Sequence, residues 1–297
     1  MNTSDAAGVV PFFDAHVHFW DHSVPDFVWG WLDPSFTQLG DTYRLDAPRF
    51  TTPEFRDEVK GAGVAGIVHI NATLPLADPS AETGWLVEMA EAYGWPNALV
   101  GACDLRSPEA PEILQRHSRR SRVRGVRDLG FAEHLDLDAV GPALAAAADL
   151  DLCIELRTPV PQLDVLRELA KRWPAVHFVL GHAGLPPVRN PETFSAWRAA
   201  LVAMAEAPNF TCKVSAVGSS ADRNWTVESI RPWIKECVAV FGADRCMFGT
   251  NWPLDRLWRP YQELVGAYRQ IAAELPEADQ HSLFHGTAER TYRTTVT

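Results

Sequence analysis

Eight short runs of apolar, β-branched or aromatic residues recur along the 297-residue chain, at residues 11–20, 64–73, 97–105, 123–129, 150–157, 175–182, 209–217 and 245–252. Most are followed by a helix signal. Strands that alternate with helical patterns form βαβ units and a parallel sheet. Eight such units close on themselves, so the expected fold is α/β, a (β/α)8 TIM barrel, whose usual size of about 250 residues fits this length.

The helix signals have physical content. Thr52-Pro53-Glu54 offers an N-cap, a proline in the first turn and an acid near the positive helix end. Ser107-Pro108-Glu109 repeats that arrangement, and Val160, Leu163, Leu166 and Leu169 recur at helical spacing. Residues 196–207, 227–241 and 260–275 read as further helices. No linker or low-complexity segment divides the chain, so residues 1–297 read as a single domain with 1–9 as a loose tail. One stretch breaks the rhythm: about thirty residues after the first strand, 21–50, carry Phe27, Trp29, Trp31, Phe36 and Tyr43 among turn residues. A long aromatic-rich loop there emerges at the C-terminal face of a barrel, where it is read either as a lid or as an extra packing segment.

Charge and cysteine usage exclude several classes. Hydrophobic residues make up 46% and charged residues 22%, enough for a large core, and the net charge is −11. An acidic chain is a poor partner for nucleic acid or an anionic membrane. It still admits a small anionic substrate, because a local Arg/Lys pair outweighs distant charge. The five cysteines are odd in number and lack close pairing, which points to buried thiols in a reducing compartment. No signal peptide or membrane span is expected, and the default location is the cytoplasm. The eleven tryptophans leave room for an oligomer interface without locating one.

The chemistry-bearing residues sit at strand ends. The first strand ends in Asp14-Ala15-His16-Val17-His18. Strand alternation puts His16 and His18 on one face, with Asp14 one layer deeper, so both imidazoles can converge on one cation. The sixth strand ends in Gly181-His182-Ala183-Gly184, and the eighth runs Phe248-Gly249-Thr250-Asn251-Trp252-Pro253-Leu254-Asp255. Glu155 stands within an apolar fifth strand, where a carboxylate needs a metal, an altered pKa or a cationic partner such as Arg157 or Arg127. Lys213 and Ser215 share a face of strand seven, and His69 and Asn71 share a face of strand two. The arginines at 116, 119, 120, 122 and 124 read as a solvated helix end. No GxGxxG, Walker or Gly-x-Ser-x-Gly sequence is present.

Together, the His-x-His near the N-terminus, Gly181-His-Ala-Gly184 and Phe248-Gly-Thr-Asn-Trp-Pro253 resemble the amidohydrolase superfamily, more narrowly its branch of sugar-lactone and dicarboxylate-lactone lactonases. Asp14-Ala-His-x-His-Phe-Trp-Asp21, Cys212-Lys-Val-Ser215 and Ala288-Glu-Arg-Thr-Tyr292 fit that branch too. The resemblance implies a hydrolase that opens a small sugar-acid or carboxylated lactone. It implies His16, His18 and His182 as metal ligands for zinc or manganese, if a metal is used, and His182, Asn251, Asp255 and Glu155 as catalytic candidates. Arg127, Lys213, Ser215, His69, Trp20 and Trp252 are the substrate-binding candidates, with Arg127 at a basic position typical of the family. The sequence departs from the pattern in carrying Asn251 where an Asp ends strand eight in well-understood members. An amide cannot act as a general base, so Asp255 or Glu155 is the candidate replacement. Two alternatives stay open: decarboxylation of an aromatic or unsaturated acid on the same barrel, and a ligand-binding barrel impaired by Asn251.

Overall fold

The computed structural model describes residues 10–36, 40–73, 76–128, 137–157, 163–184, 186, 188–217 and 223–295. Its eight parallel strands are β1 (Phe12–Val17), β2 (Val64–Ile70), β3 (Ala98–Ala102), β4 (Val123–Asp128), β5 (Cys153–Leu156), β6 (Phe178–Leu180), β7 (Phe210–Val214) and β8 (Cys246–Phe248). They are hydrogen-bonded in chain order. Closure comes just beyond the last strand, where Val17 bridges Trp252 in parallel and His18 N donates to Trp252 O at 2.7 Å. This is the (β/α)8 barrel, and each of the eight apolar runs contains one strand.

The helices between strands are α1 (Thr52–Glu58), α2 (Ala81–Tyr93), α3 (Ala110–Ser118), α4 (Gly141–Asp149), α5 (Leu163–Arg172), α6 (Pro191–Ala205) and α7 (Val227–Phe241), with α8 (Tyr261–Ala272) after the last strand. Two expected starts shift. The first helix is capped by Thr51, not Thr52, because the Glu54 carboxylate accepts from both the Thr51 backbone N at 3.0 Å and its hydroxyl at 2.5 Å. Glu109, not Ser107, precedes α3; the Ser107 hydroxyl instead accepts from Glu109 N in the turn before it. The proposed tail 1–9, Leu129 and the Pro159–Gln162 start of the fifth helical pattern lie outside the described residues.

Two apolar layers follow from strand alternation. Phe13, Ala15, Val68, Val100, Cys153, Val179 and Met247 fill the barrel, together with Ala288 and Tyr292 from a C-terminal helix, α10 (Thr287–Tyr292), which follows the short α9 (Glu277–His281). The larger cluster, including Phe12 and Val17, lies between strands and helices. The segment around α10 sits under the N-terminal strand ends: Thr287 Oγ1 donates to Ala243 O at 3.1 Å and Arg290 to Asp244 O at 3.1 Å, both just before β8.

The segment after β1 is ordered wherever it is described. Its base is a two-residue antiparallel ribbon pairing Trp20–Asp21 with Arg49–Phe50, and 3-10 turns form at Gly30–Leu32 and Thr42–Leu45. Trp29 and Trp31 are buried, and the Trp31 indole donates to Ala72 O at 2.8 Å. Trp29 and Trp31 therefore pack inward, Trp31 as a cap over the end of β2, while Tyr43 stays exposed.

Candidate active site

Three histidines meet at the C-terminal mouth. His16 and His18 bring their Nε2 atoms within 3.1 Å, and the His16 ring lies 4.6 Å from that of His182, centroid to centroid. The spacing of the first two is not a simple alternation. From Asp14 to Val17, β1 advances three residues while β2 advances two, Ile67 to His69. The extra residue is a bulge, which re-aims side chains, and it overturns the expectation that Asp14 lies under the histidines. Asp14 instead points to the helix layer. It accepts from Thr250 N at 2.9 Å, Thr250 Oγ1 at 2.6 Å and the Tyr261 hydroxyl at 2.9 Å, stitching β1 to the end of β8 and to α8. Burial pushes its carboxyl up to about 6, against those hydrogen bonds. Gly249 is required beside it, because a Cβ there would stand 2.8 Å from His16 Cβ.

Two of the imidazoles are oriented through Nδ1 by a neighbour. His18 Nδ1 donates to Ile70 O at 2.9 Å, leaving the Nε2 lone pair facing His16. His182 Nδ1 lies 2.8 Å from Ser215 Oγ. All three rings are held neutral: burial lowers each, to about 3 for His18, and neighbouring cationic and imidazole groups add to it. Two imidazole nitrogens 3.1 Å apart match a pair bound at about 2.0–2.1 Å to one ion. The carbonyl behind His18 is the usual kind of outer partner for a ligating histidine, and His16 Nδ1 is buried with no partner among the described residues. Among the described residues no three or more His, Cys, Asp or Glu side chains form a complete metal cage. The donor set thus fits a divalent ion on two imidazoles, with further ligands from water or substrate.

The other candidates divide. Asn251 contacts His18 and donates from Nδ2 to Asp255 Oδ1 at 3.0 Å, so the amide links Asp255 to the histidines. Arg127 is tied at Nε and Nη2 to Asn71, at 2.9 and 2.6 Å. Burial lowers it to about 10, and it remains a cation whose field bears on all three histidines. Glu155 pairs with Lys213 at 2.7 Å, both fully enclosed, rather than with Arg127 or Arg157. His69 accepts from Phe19 N at 2.9 Å and anchors the exit of β1. Trp20 and Trp252 are buried in packing, the first stacked on Phe50 and the second edge-on to Tyr261. Sequence reading offered Arg157 only as a partner for Glu155, whereas it is the strongest charged influence on His182. Its signal was its position two residues after Glu155, at the end of β5.

Four non-glycine residues around the mouth adopt left-handed backbone: His182, Ala183, Ala216 and Asn251, with φ of 53, 50, 52 and 59°. Such strain gathers where a site over-determines the backbone, and asparagine bears it better than most residues.

The amidohydrolase family profile matches residues 13–294. The chain belongs to that family. It is 30% identical over 302 residues to an uncharacterized protein, y4mH, of Sinorhizobium fredii, covering 96% of this chain and 99% of the relative. It is 29% identical over 299 residues to an L-fucono-1,5-lactonase of Burkholderia multivorans, covering 94% and 95%. A solved amidohydrolase from Burkholderia multivorans with bound zinc superposes with a TM-score of 0.81 at 26% identity, over 96% of this chain and 100% of that one. The chain is therefore an enzyme of hydrolase type. Among the described residues no helix is long and apolar enough to cross a membrane.

Proposed function

We propose that the whole chain acts as one catalytic unit, a lactonase that opens a small sugar-acid or carboxylated lactone. The observation that carries this is the neutral cluster of His16, His18 and His182 at the barrel mouth, flanked by the Arg127 cation, in a chain that aligns with an L-fucono-1,5-lactonase over nearly its full length. His16 and His18 would hold a divalent ion, zinc as in the solved relative or manganese, through Nε2, with His182 beside them. When bound, such an ion polarises the ester carbonyl and lowers the pKa of water.

The chain's own groups do the rest. Arg127 leaves Nη1 for a carbonyl or carboxylate oxygen of the substrate. Asn251, braced by Asp255, orients the attacking water. His182, neutral and fixed by Ser215, takes the water proton and returns it to the ring oxygen as the C–O bond breaks, giving the hydroxy acid. The Trp31 cap excludes bulk solvent. Five free, buried cysteines support a reducing, cytoplasmic setting.

A proton-release assay over sugar-acid lactones and dicarboxylate lactones tests this, with chelated enzyme and with added Zn²⁺ or Mn²⁺. Turnover that collapses in His182→Asn is the expected result. A folded protein that opens no lactone overturns the reading; carbon dioxide release from aromatic acids would then identify a decarboxylase, and ligand binding without turnover an impaired barrel.

A further inference from the structure

Below the histidines lies a charged group that no substrate can touch. Lys213 Nζ donates to Glu155 Oε1 at 2.7 Å, and the same oxygen accepts a short hydrogen bond from the Tyr292 hydroxyl. The Lys213 ammonium lies 5.3 Å from the centre of the Tyr292 ring, and all three side chains are buried. Tyr292 comes from the last helix and enters the barrel from its N-terminal end, among Cys153, Val179 and Met247. Lys213 lies on β7 and Ser215 two residues on, just past the strand's end, so the Lys213 backbone stands about 6.6–7 Å deeper in the barrel than that of the serine beside His182.

We propose that Glu155, Lys213 and Tyr292 form a positioning triad: Tyr292 and Glu155 lock a buried ammonium under the reacting centre, where it stabilises the negative charge that develops on the carbonyl oxygen. A buried lysine keeps its proton only with a partner. Glu155 supplies the partner, and Tyr292 fixes the carboxylate so that the pair cannot swing. The layer around the triad is apolar, so its field is weakly screened. The direction in which Lys213 biases His16, His18 and His182 agrees with a field that reaches them. The inference rests on the lactonase reading for its reaction and not for its geometry.

The test compares Tyr292→Phe, Glu155→Gln and the double variant Lys213→Met with Glu155→Gln, which leaves no unpaired charge. On the lactone that the parent enzyme opens, kcat is expected to fall about tenfold in Tyr292→Phe and about a hundredfold in the double variant. KM stays within twofold in both, and the thermal midpoint of Tyr292→Phe changes by a few degrees at most. In ¹⁵N-histidine spectra the ring signals of His16 and His182 shift in the variants, while those of exposed His22 and His281 do not. An unchanged kcat in folded Tyr292→Phe, or unmoved His16 and His182 signals, overturns the triad. A parent enzyme that opens no lactone defeats the lactonase reading alone, and the histidine spectra still decide the triad.

Discussion

At the mouth of the barrel, His182, Ala183, Ala216 and Asn251 hold left-handed backbone, and three imidazoles are buried together without their charge. One layer down, Phe13, Val68, Val100, Cys153, Val179 and Met247 pack together as an apolar layer. A third environment, outside the wall, holds Asp14 among neutral donors from Thr250 and Tyr261. The same strands build all three. Hydroxyls and amides satisfy a carboxylate where the task is to join strands and helix, whereas Glu155, inside, faces an ammonium. The mouth contains strain that the interior and wall must offset.

The sharpest way to break this contrast is His182→Asn. Activity is expected to drop at least a thousandfold, about 4 kcal/mol in the barrier, while the thermal midpoint stays within about 2 °C or rises, since a buried, strained imidazole is removed. A midpoint loss matching the activity loss would show that the mouth carries the frame as well. Asp14→Ala should do the reverse. It leaves buried donors on Thr250 and Tyr261 without an acceptor, at a cost of about 3 kcal/mol in denaturant unfolding. A stable variant with a dead active site would refute the assignment of Asp14 to the wall.

Acid sharpens the comparison next. Burial holds His69, His117 and His177 below their ordinary 6.5, as it does the three at the mouth. The unfolded chain therefore takes up protons below pH 6.5 that the folded one refuses. Stability should fall as pH drops through that value, by at most about 1.4 kcal/mol per unit for each group. Asp14, raised to about 6, and Glu82, raised to about 7, oppose this by favouring the protonated folded state as pH falls. Six histidines outweigh two carboxylates, so melting curves from pH 7 to 5 should show a falling midpoint, with a shallower fall in His69→Gln. A rising midpoint would contradict it. The smallest effect is expected from Ala216→Gly, which relieves the left-handed strain beside Ser215 and should add about 0.5–1 kcal/mol of stability while loosening His182 and lowering kcat.

The barrel was legible in the sequence because strand and helix periods are local. Each apolar run held its strand, and Val227–Phe241 appeared as read. Helix starts were less so: the Thr51 cap and the start of α3 depended on which carboxylate or hydroxyl closed each turn. Within the site, His16, His18 and His182 were found from position alone, since strand ends at one face of a barrel must converge. The partner of Glu155 was not, because Lys213 lies 58 residues away and only the register of β5 through β7 brings them together. Trp20 and Trp252 carried no local sign that they would face packing instead of substrate.

By itself, then, the order of apolar runs and strand-end histidines determined the architecture and the three rings at its mouth, since both follow from chain-local periodicity and the geometry of a closed sheet. The tertiary structure decided where each polar side chain spends its charge. A one-residue bulge in β1 sent Asp14 outward and His16 inward, and the last helix carried Tyr292 up the barrel to Glu155. Neither is written in any short segment, because a bulge is defined by its neighbouring strand and a buried pair by the fold that excludes water from it.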